Sequence, residues 1–178
     1  MSPLSARRDP LRALLQNTRQ PFLIITLWCA ALLGVGYYLQ FQQGLTPCPL
    51  CIFQRLAFFG VLVLAMLGAL LGPKKRGAQI LGLLLMLVAD IGAAIAGRQV
   101  WLQHLPEDRI PECGPGLDFL LDAYPLTEAV QTVLRGSGDC AKVDWTFLGL
   151  SIAEWSLINF LALGGIALVL VLVRRATA

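Results

Sequence analysis

Charge is scarce in this chain. Asp, Glu, Lys and Arg together make up 14% of 178 residues, while 57% are hydrophobic, and mean hydropathy is +0.70. A water-soluble domain of this size would expose far too much apolar surface. The sequence has no glycine-rich phosphate-binding motif, no internal repeat and no low-complexity segment. Only one close cysteine pair occurs, so a four-cysteine zinc site would lack its second pair. Charge is also missing from the short stretch Gln42 to Pro47.

The apolar runs, by contrast, are long. Four windows, 22–41, 52–71, 78–97 and 152–173, each match the roughly 20 residues that cross a bilayer. Windows of this length argue against a soluble helix bundle. Tyr37, Tyr38, Leu39 and Gln40 end the first window where a signal peptide would carry small residues, so it is read as a retained helix. Gly34, Gly36, Gly68, Gly82, Gly92, Gly164 and Gly165 fall inside the windows, and small residues let membrane helices approach closely. The expectation is an all-α membrane protein, a single domain over 1–178. It would form a four-helix bundle with outward loops at about 42–51 and 98–151.

The few charges orient it. Arg7, Arg8, Arg12 and Arg19 precede the first window, Lys74, Lys75 and Arg76 join the second and third, and Arg174 and Arg175 follow the fourth. The long last loop is acidic, with Glu107, Asp108, Glu112, Asp118, Asp122, Glu128, Asp139 and Asp144. The positive-inside rule places both termini in the cytoplasm and both cysteine loops outside. The net charge of +3 is therefore a topology signal with no bearing on nucleic acid. Trp101, Trp145, Trp155, Tyr37 and Tyr38 gather at the outward ends, as in an interfacial belt.

Cys48, Cys51, Cys113 and Cys140 all fall on the outward side; in a bacterium that is the oxidising periplasm. Cys29, inside the first window, is read as a small buried hydrophobe. Pro49 suits the first helical position. Cys48 then becomes the N-cap and Cys51 the third helical residue, both at the positive helix end, which favours a thiolate. Arg55 follows one turn deeper. It is either a donor to the Cys51 thiolate or to a polar acceptor atom, or a side chain snorkelling to the interface.

Cys113 and Cys140 lie among glycines and prolines, which predicts mobile, exposed loops and an accessible disulfide. Between them Leu126, Ala129, Val130, Val133 and Leu134 repeat at helical spacing, predicting a short amphipathic helix on the membrane surface that holds the loop near Cys48 and Cys51. His104 is either an interfacial hydrogen-bonder or part of the site. Asp90 and Arg98 form a charge pair or polar packing, and Glu154 and Asn159 are read as interfacial or interhelical contacts. Four outward cysteines allow three pairings.

Taken together, Cys48-Pro-Leu-Cys51-Ile-Phe-Gln-Arg55, the outward Cys113 and Cys140, and Gly138-Asp139-Cys140 leading to Trp145-Thr-Phe-Leu-Gly149-Leu resemble the bacterial disulfide bond formation family DsbB over essentially the whole chain. That resemblance implies a thiol:quinone oxidoreductase of the bacterial inner membrane. Cys113 and Cys140 would oxidise a periplasmic thioredoxin-fold partner of the DsbA type, Cys113 forming the mixed disulfide. Cys48 and Cys51 would then take the electrons, and Cys51 would meet the quinone, ubiquinone or menaquinone. Arg55 would polarise a quinone oxygen, with His104 nearby. Two other readings compete. A quinone reductase of the vitamin K epoxide reductase type carries its Cys-x-x-Cys near the end of a later helix. A structural four-helix protein with stapling disulfides gives Arg55 no role.

Overall fold

The structure, a computed structural model, describes residues 19–112, 114 and 117–176. Four long helices dominate it: α1 (Arg19–Gln42), α2 (Pro49–Leu71), α3 (Lys75–Gln103) and α7 (Ile152–Ala176). All four are long and apolar enough to cross a membrane. The shortest, α2, has 23 residues; at about 1.5 Å per residue it covers a hydrocarbon layer of roughly 30 Å. Helix α2 stops at Gly72, which takes the left-handed conformation (φ 54°) and returns its N–H to the Gly68 carbonyl. Arg19 packs against that turn, which runs on into Lys74 and Lys75, so basic residues mark this end of the bundle.

The first expectation to need adjustment is the third window. Helix α3 continues past Gly97 to Gln103, so Arg98, Gln99 and Trp101 are helical and the loop starts later. Leu102 explains the extension: it is completely buried, and no proline interrupts before Pro106.

The bundle core is apolar and joins all four helices. Phe22 and Leu33 of α1, Phe58 and Val61 of α2, Leu85 and Ala96 of α3, and Phe160 and Leu163 of α7 belong to one cluster. Cys29 is in it, fully buried, as the apolar reading of that thiol requires. Glycine makes the close contacts possible. A Cβ at Gly92 would run into the Phe160 ring, and one at Gly68 would lie 2.6 Å from the Phe22 ring. Phe160 in turn stacks on Phe58 with ring centres 3.9 Å apart.

At the cysteine end of the bundle lies a second, smaller cluster. The loop after α3 forms a turn at Glu107–Arg109 and three short helices, α4 (Leu117–Ala123), α5 (Leu126–Arg135) and α6 (Gly138–Ala141). A two-residue hairpin, β1 (Thr146–Phe147) with β2 (Leu150–Ser151), leads into α7. Helix α5 is the amphipathic helix expected from the sequence, and part of its apolar face packs on the bundle. Ala129 and Val133 pack on Leu50, Ile95 and Leu102 at the tops of α2 and α3. Leu126 and Leu134 stay exposed. Without this cap, the apolar helix tops would meet water.

Candidate active site

Cys48 is the N-cap of α2, in extended conformation, and Pro49 is the first helical residue. The missing proline N–H is one the helix would leave unpaired in any case. The Cys51 N–H donates to Cys48 Sγ at 3.4 Å, and the two sulfurs are 3.0 Å apart. Both sit at the positive end of the helix, where a thiolate is favoured.

Cys140 meets this pair from above. Its N–H bonds the Ser137 carbonyl at 2.9 Å, and the Gly138 N–H bonds the Glu112 carbonyl at 3.1 Å. Arg98 secures the same segment from below. Its guanidinium donates to the Arg135 carbonyl at 2.8 Å and lies 4.2 Å from the centre of the Trp101 ring. Gly136 (φ 83°) lies so close to Leu102 that a Cβ there would collide with it.

The exposure expected of this segment is therefore not what Cys140 has. Cys140 is completely buried beside Leu50 and Leu102. Apolar side chains at the helix tops draw the segment down, and Arg98 binds to it where the sequence suggested Asp90. Cys113 lies outside the described residues. Its neighbour Glu112 is tied to Gly138, and a Cβ on Gly114 would lie 3.2 Å from the Ser137 Cβ.

Cys48 and Cys140 are shifted in opposite directions. The Cys48 thiol hydrogen-bonds to Cys140 and holds it down at about 6 from an ordinary 9.0, helped by the backbone at Leu50 and Ser137 and opposed by burial. Cys48 is pushed up, first by that bond, then by its bond to Cys51 and by burial. A thiolate at Cys140 thus faces a protonated Cys48 in this reduced form. Once Cys48 and Cys51 are joined as a disulfide, the same approach would suit thiol–disulfide exchange, in which a thiolate attacks one sulfur and the other leaves.

Below the cysteines opens a cavity of about 300 Å³. Cys48, Cys51 and Arg55 line it, with Leu32, Leu33 and Leu39 of α1, Phe58 of α2 and Trp155 and Asn159 of α7. Arg55 reaches across to α1. It donates to the Gly36 carbonyl at 3.1 Å and to the Gln40 side-chain oxygen, and sits over the Tyr37 ring.

His104 is not part of that lining. Its Nδ1 is 2.8 Å from the Val100 carbonyl, and its Nε2 is 3.9 Å from Glu154. Glu154 caps the start of α7, accepting from the Ser151 N–H at 2.6 Å. Asn159 does bridge helices, accepting from the Trp28 indole at 2.8 Å.

Two residues escaped the sequence reading. Gln99 and Gln54 are both buried, each about 3% exposed. The Gln99 Nε2 lies 3.4 Å from Cys48 Sγ and 3.3 Å from Cys51 Sγ. Gln54 donates to the Gln99 Oε1 at 2.7 Å. The available signal was an uncharged amide inside an apolar helix, easily overlooked beside Arg55 and Arg98.

Comparison with known proteins agrees with this site. The family model described as disulfide bond formation protein DsbB matches residues 18–170. Disulfide bond formation protein B of Azoarcus sp. (strain BH72) is 51% identical over 163 residues, covering 92% of this chain and 98% of that protein. That of Methylococcus capsulatus is 49% identical, covering 86% and 94%. Disulfide bond formation protein B 1 of Pseudomonas aeruginosa (strain PAO1) is 45% identical, covering 91% and 99%. A family match over most of the length and a cysteine cluster built into four membrane-length helices converge: the chain belongs to the DsbB family and is a membrane oxidoreductase of disulfide bond formation.

Proposed function

We propose that the chain reoxidises a periplasmic DsbA-type dithiol and passes the electrons to a quinone of the inner membrane. The observation that carries this reading is the meeting of Cys140, Cys48 and Cys51 beside a largely apolar cavity between the long helices. The reduced partner attacks a Cys113–Cys140 disulfide at Cys113, and Cys140 leaves as a thiolate. Cys140 then attacks Cys48 of an oxidised Cys48–Cys51 pair; the bond to Cys140 forms, and Cys51 leaves with the electron pair. As the partner's second thiol releases it from Cys113, the freed Cys113 thiolate attacks Cys140 and regenerates the loop disulfide. Cys48 and Cys51 are left as a dithiol. One partner disulfide has formed and two electrons rest on the inner pair.

A quinone bound in the cavity takes those two electrons with two protons. The lining fits such a ligand: the Leu32, Leu33 and Leu39 wall suits an isoprenoid chain, and Arg55 supplies a cation near Cys51 for a carbonyl oxygen. The cluster of basic residues at the opposite end supports an outward, periplasmic cysteine site with cytoplasmic termini. His104 lies outside the lining, so this proposal assigns it no direct contact with the acceptor.

The test is a reconstituted assay. The purified full chain, a reduced DsbA-type protein and either ubiquinone or menaquinone should yield oxidised partner in step with quinone loss. Cys113→Ser and Cys51→Ser should each abolish the coupled reaction, while a small dithiol should still drive quinone loss in Cys113→Ser. Full partner oxidation in either variant, with quinone as sole acceptor, would overturn the two-pair relay.

A further inference from the structure

Gln99 stands where the chemistry changes hands. It lies on α3, buried, facing the first turn of α2. Its amide nitrogen is within 3.4 Å of both inner sulfurs. Its oxygen accepts from Gln54 at 2.7 Å and lies 3.5 Å from Cys51 Sγ. A buried amide is costly unless paired, and two facing glutamines satisfy only part of each other's capacity. The remaining N–H points at sulfur.

We propose that Gln99 is a catalytic residue of the relay: its side-chain amide, oriented by Gln54, donates to the Cys51 sulfur as the Cys48–Cys51 bond breaks. This deepens the relay proposed above and rests on it. When Cys140 attacks Cys48, one S–S bond forms and one breaks, and the electron pair departs on Cys51. The sulfur then carries a full charge at the edge of an apolar layer. Hydrogen bonds to charged groups in such places are the strong ones. The same amide meets the other protonation state as well, because a Cys51 thiol can donate to Gln99 Oε1. Gln54 acts through Gln99 and is a positioning residue. Its bond to the amide oxygen keeps the nitrogen turned toward the sulfurs.

The bland reading is that Gln54 and Gln99 merely join α2 to α3, as polar pairs do in membrane bundles. Alkylation separates the two. The full chain, reduced in detergent, is treated with iodoacetamide at neutral pH, and modification of Cys51 is followed by peptide mass spectrometry. Gln99→Met should slow Cys51 alkylation about tenfold to hundredfold, the worth of a hydrogen bond to a charged group. Removing one amide strands the other, so the single variant can suffer in folding. The double variant Gln54→Met with Gln99→Met removes both polar groups and should melt near the wild type. It should still alkylate slowly. Gln54→Met alone should slow Cys51 less, and its effect should vanish when Gln99 is already methionine; such non-additivity marks one residue acting through another. A double variant that melts normally and alkylates Cys51 at the wild-type rate would overturn the proposal and leave an interhelical joint. Alkylation needs neither partner nor quinone. A wild type inert toward both would overturn the relay, and the alkylation rates would still decide the role of Gln99.

Discussion

The Arg55 guanidinium lies 5.1 Å from the centre of the Tyr37 ring while bonding the Gly36 carbonyl of the same helix. These contacts hold a cation of α2 against α1, at the wall of the cavity that Cys51 also lines. Arg55→Ala should leave the protein folded and lower kcat/KM for quinone about ten- to hundredfold, since a hydrogen bond to a charged group is worth roughly 1.5–3 kcal/mol. Arg55→Lys should recover part, because lysine keeps the charge and loses the planar fork. Unchanged quinone kinetics in Arg55→Ala would make the arginine a tie between α1 and α2 and nothing more.

His104 provides the contrast. Its side chain is 66% exposed and 3.9 Å from Glu154, outside the cavity lining. An exposed pair of this kind contributes about 0–1 kcal/mol. His104→Ala should therefore change quinone kinetics by about fivefold at most. Quinone titrations of His104→Ala and Arg55→Ala side by side decide the matter. Equal losses would bring the imidazole to the acceptor.

The acidity of Cys140 sets a pH dependence. The thiolate is held down from 9.0 to about 6, chiefly by the Cys48 hydrogen bond. Cys48 carries the donating proton only while the inner pair is reduced, so in the fully reduced protein alkylation of the Cys140 thiolate should be flat above about 6 and fall as the pH drops below it. The stability sign follows the same direction. A depressed acid stabilises the native state fully above the unfolded value of 9.0 and loses that contribution as the pH falls through about 6. Iodoacetamide labelling of Cys140 in the fully reduced chain across this range tests it. In Cys48→Ala, alkylation of Cys140 should need a higher pH, because its main hydrogen-bond donor is gone.

Hydropathy made the four helices legible, and Pro49 after Cys48 made the N-cap geometry legible. Both depend on local chemistry, which a linear sequence carries. The burial of Cys140 was not legible. Glycines around Cys140 read as mobility, yet Gly136 is there because Leu102 leaves no room for a Cβ. The partner of Arg98 was hidden for a related reason. A backbone carbonyl at Arg135 has no sequence signature, whereas Asp90 has an obvious one. Gln99 became visible only when α3 was placed against α2. Its meaning lies in distances to two sulfurs, and spacing along the chain does not encode them.

The clamp on the Cys140 segment yields the last prediction. Arg98 holds the end of α5 through the Arg135 carbonyl, and Gly136 lets the chain pass close over Leu102. Together they set where Cys140 can reach. Arg98→Ala removes one partly exposed hydrogen bond, worth about 1 kcal/mol, and should slow transfer from Cys140 to Cys48 about fivefold. Gly136→Ala should do more, because it forces a side chain into Leu102 at φ 83°; strain of this type costs of order 1–3 kcal/mol. The disulfide formed between Cys140 and Cys48 during turnover can be trapped by acid quench and counted. Quinone reduction driven by a small dithiol, which bypasses the loop, should be nearly unchanged in both variants. If the bypass falls as steeply as the coupled reaction, Arg98 and Gly136 support the bundle itself. If neither falls, Cys140 finds Cys48 without the clamp, and packing of Ala129 and Val133 alone positions it.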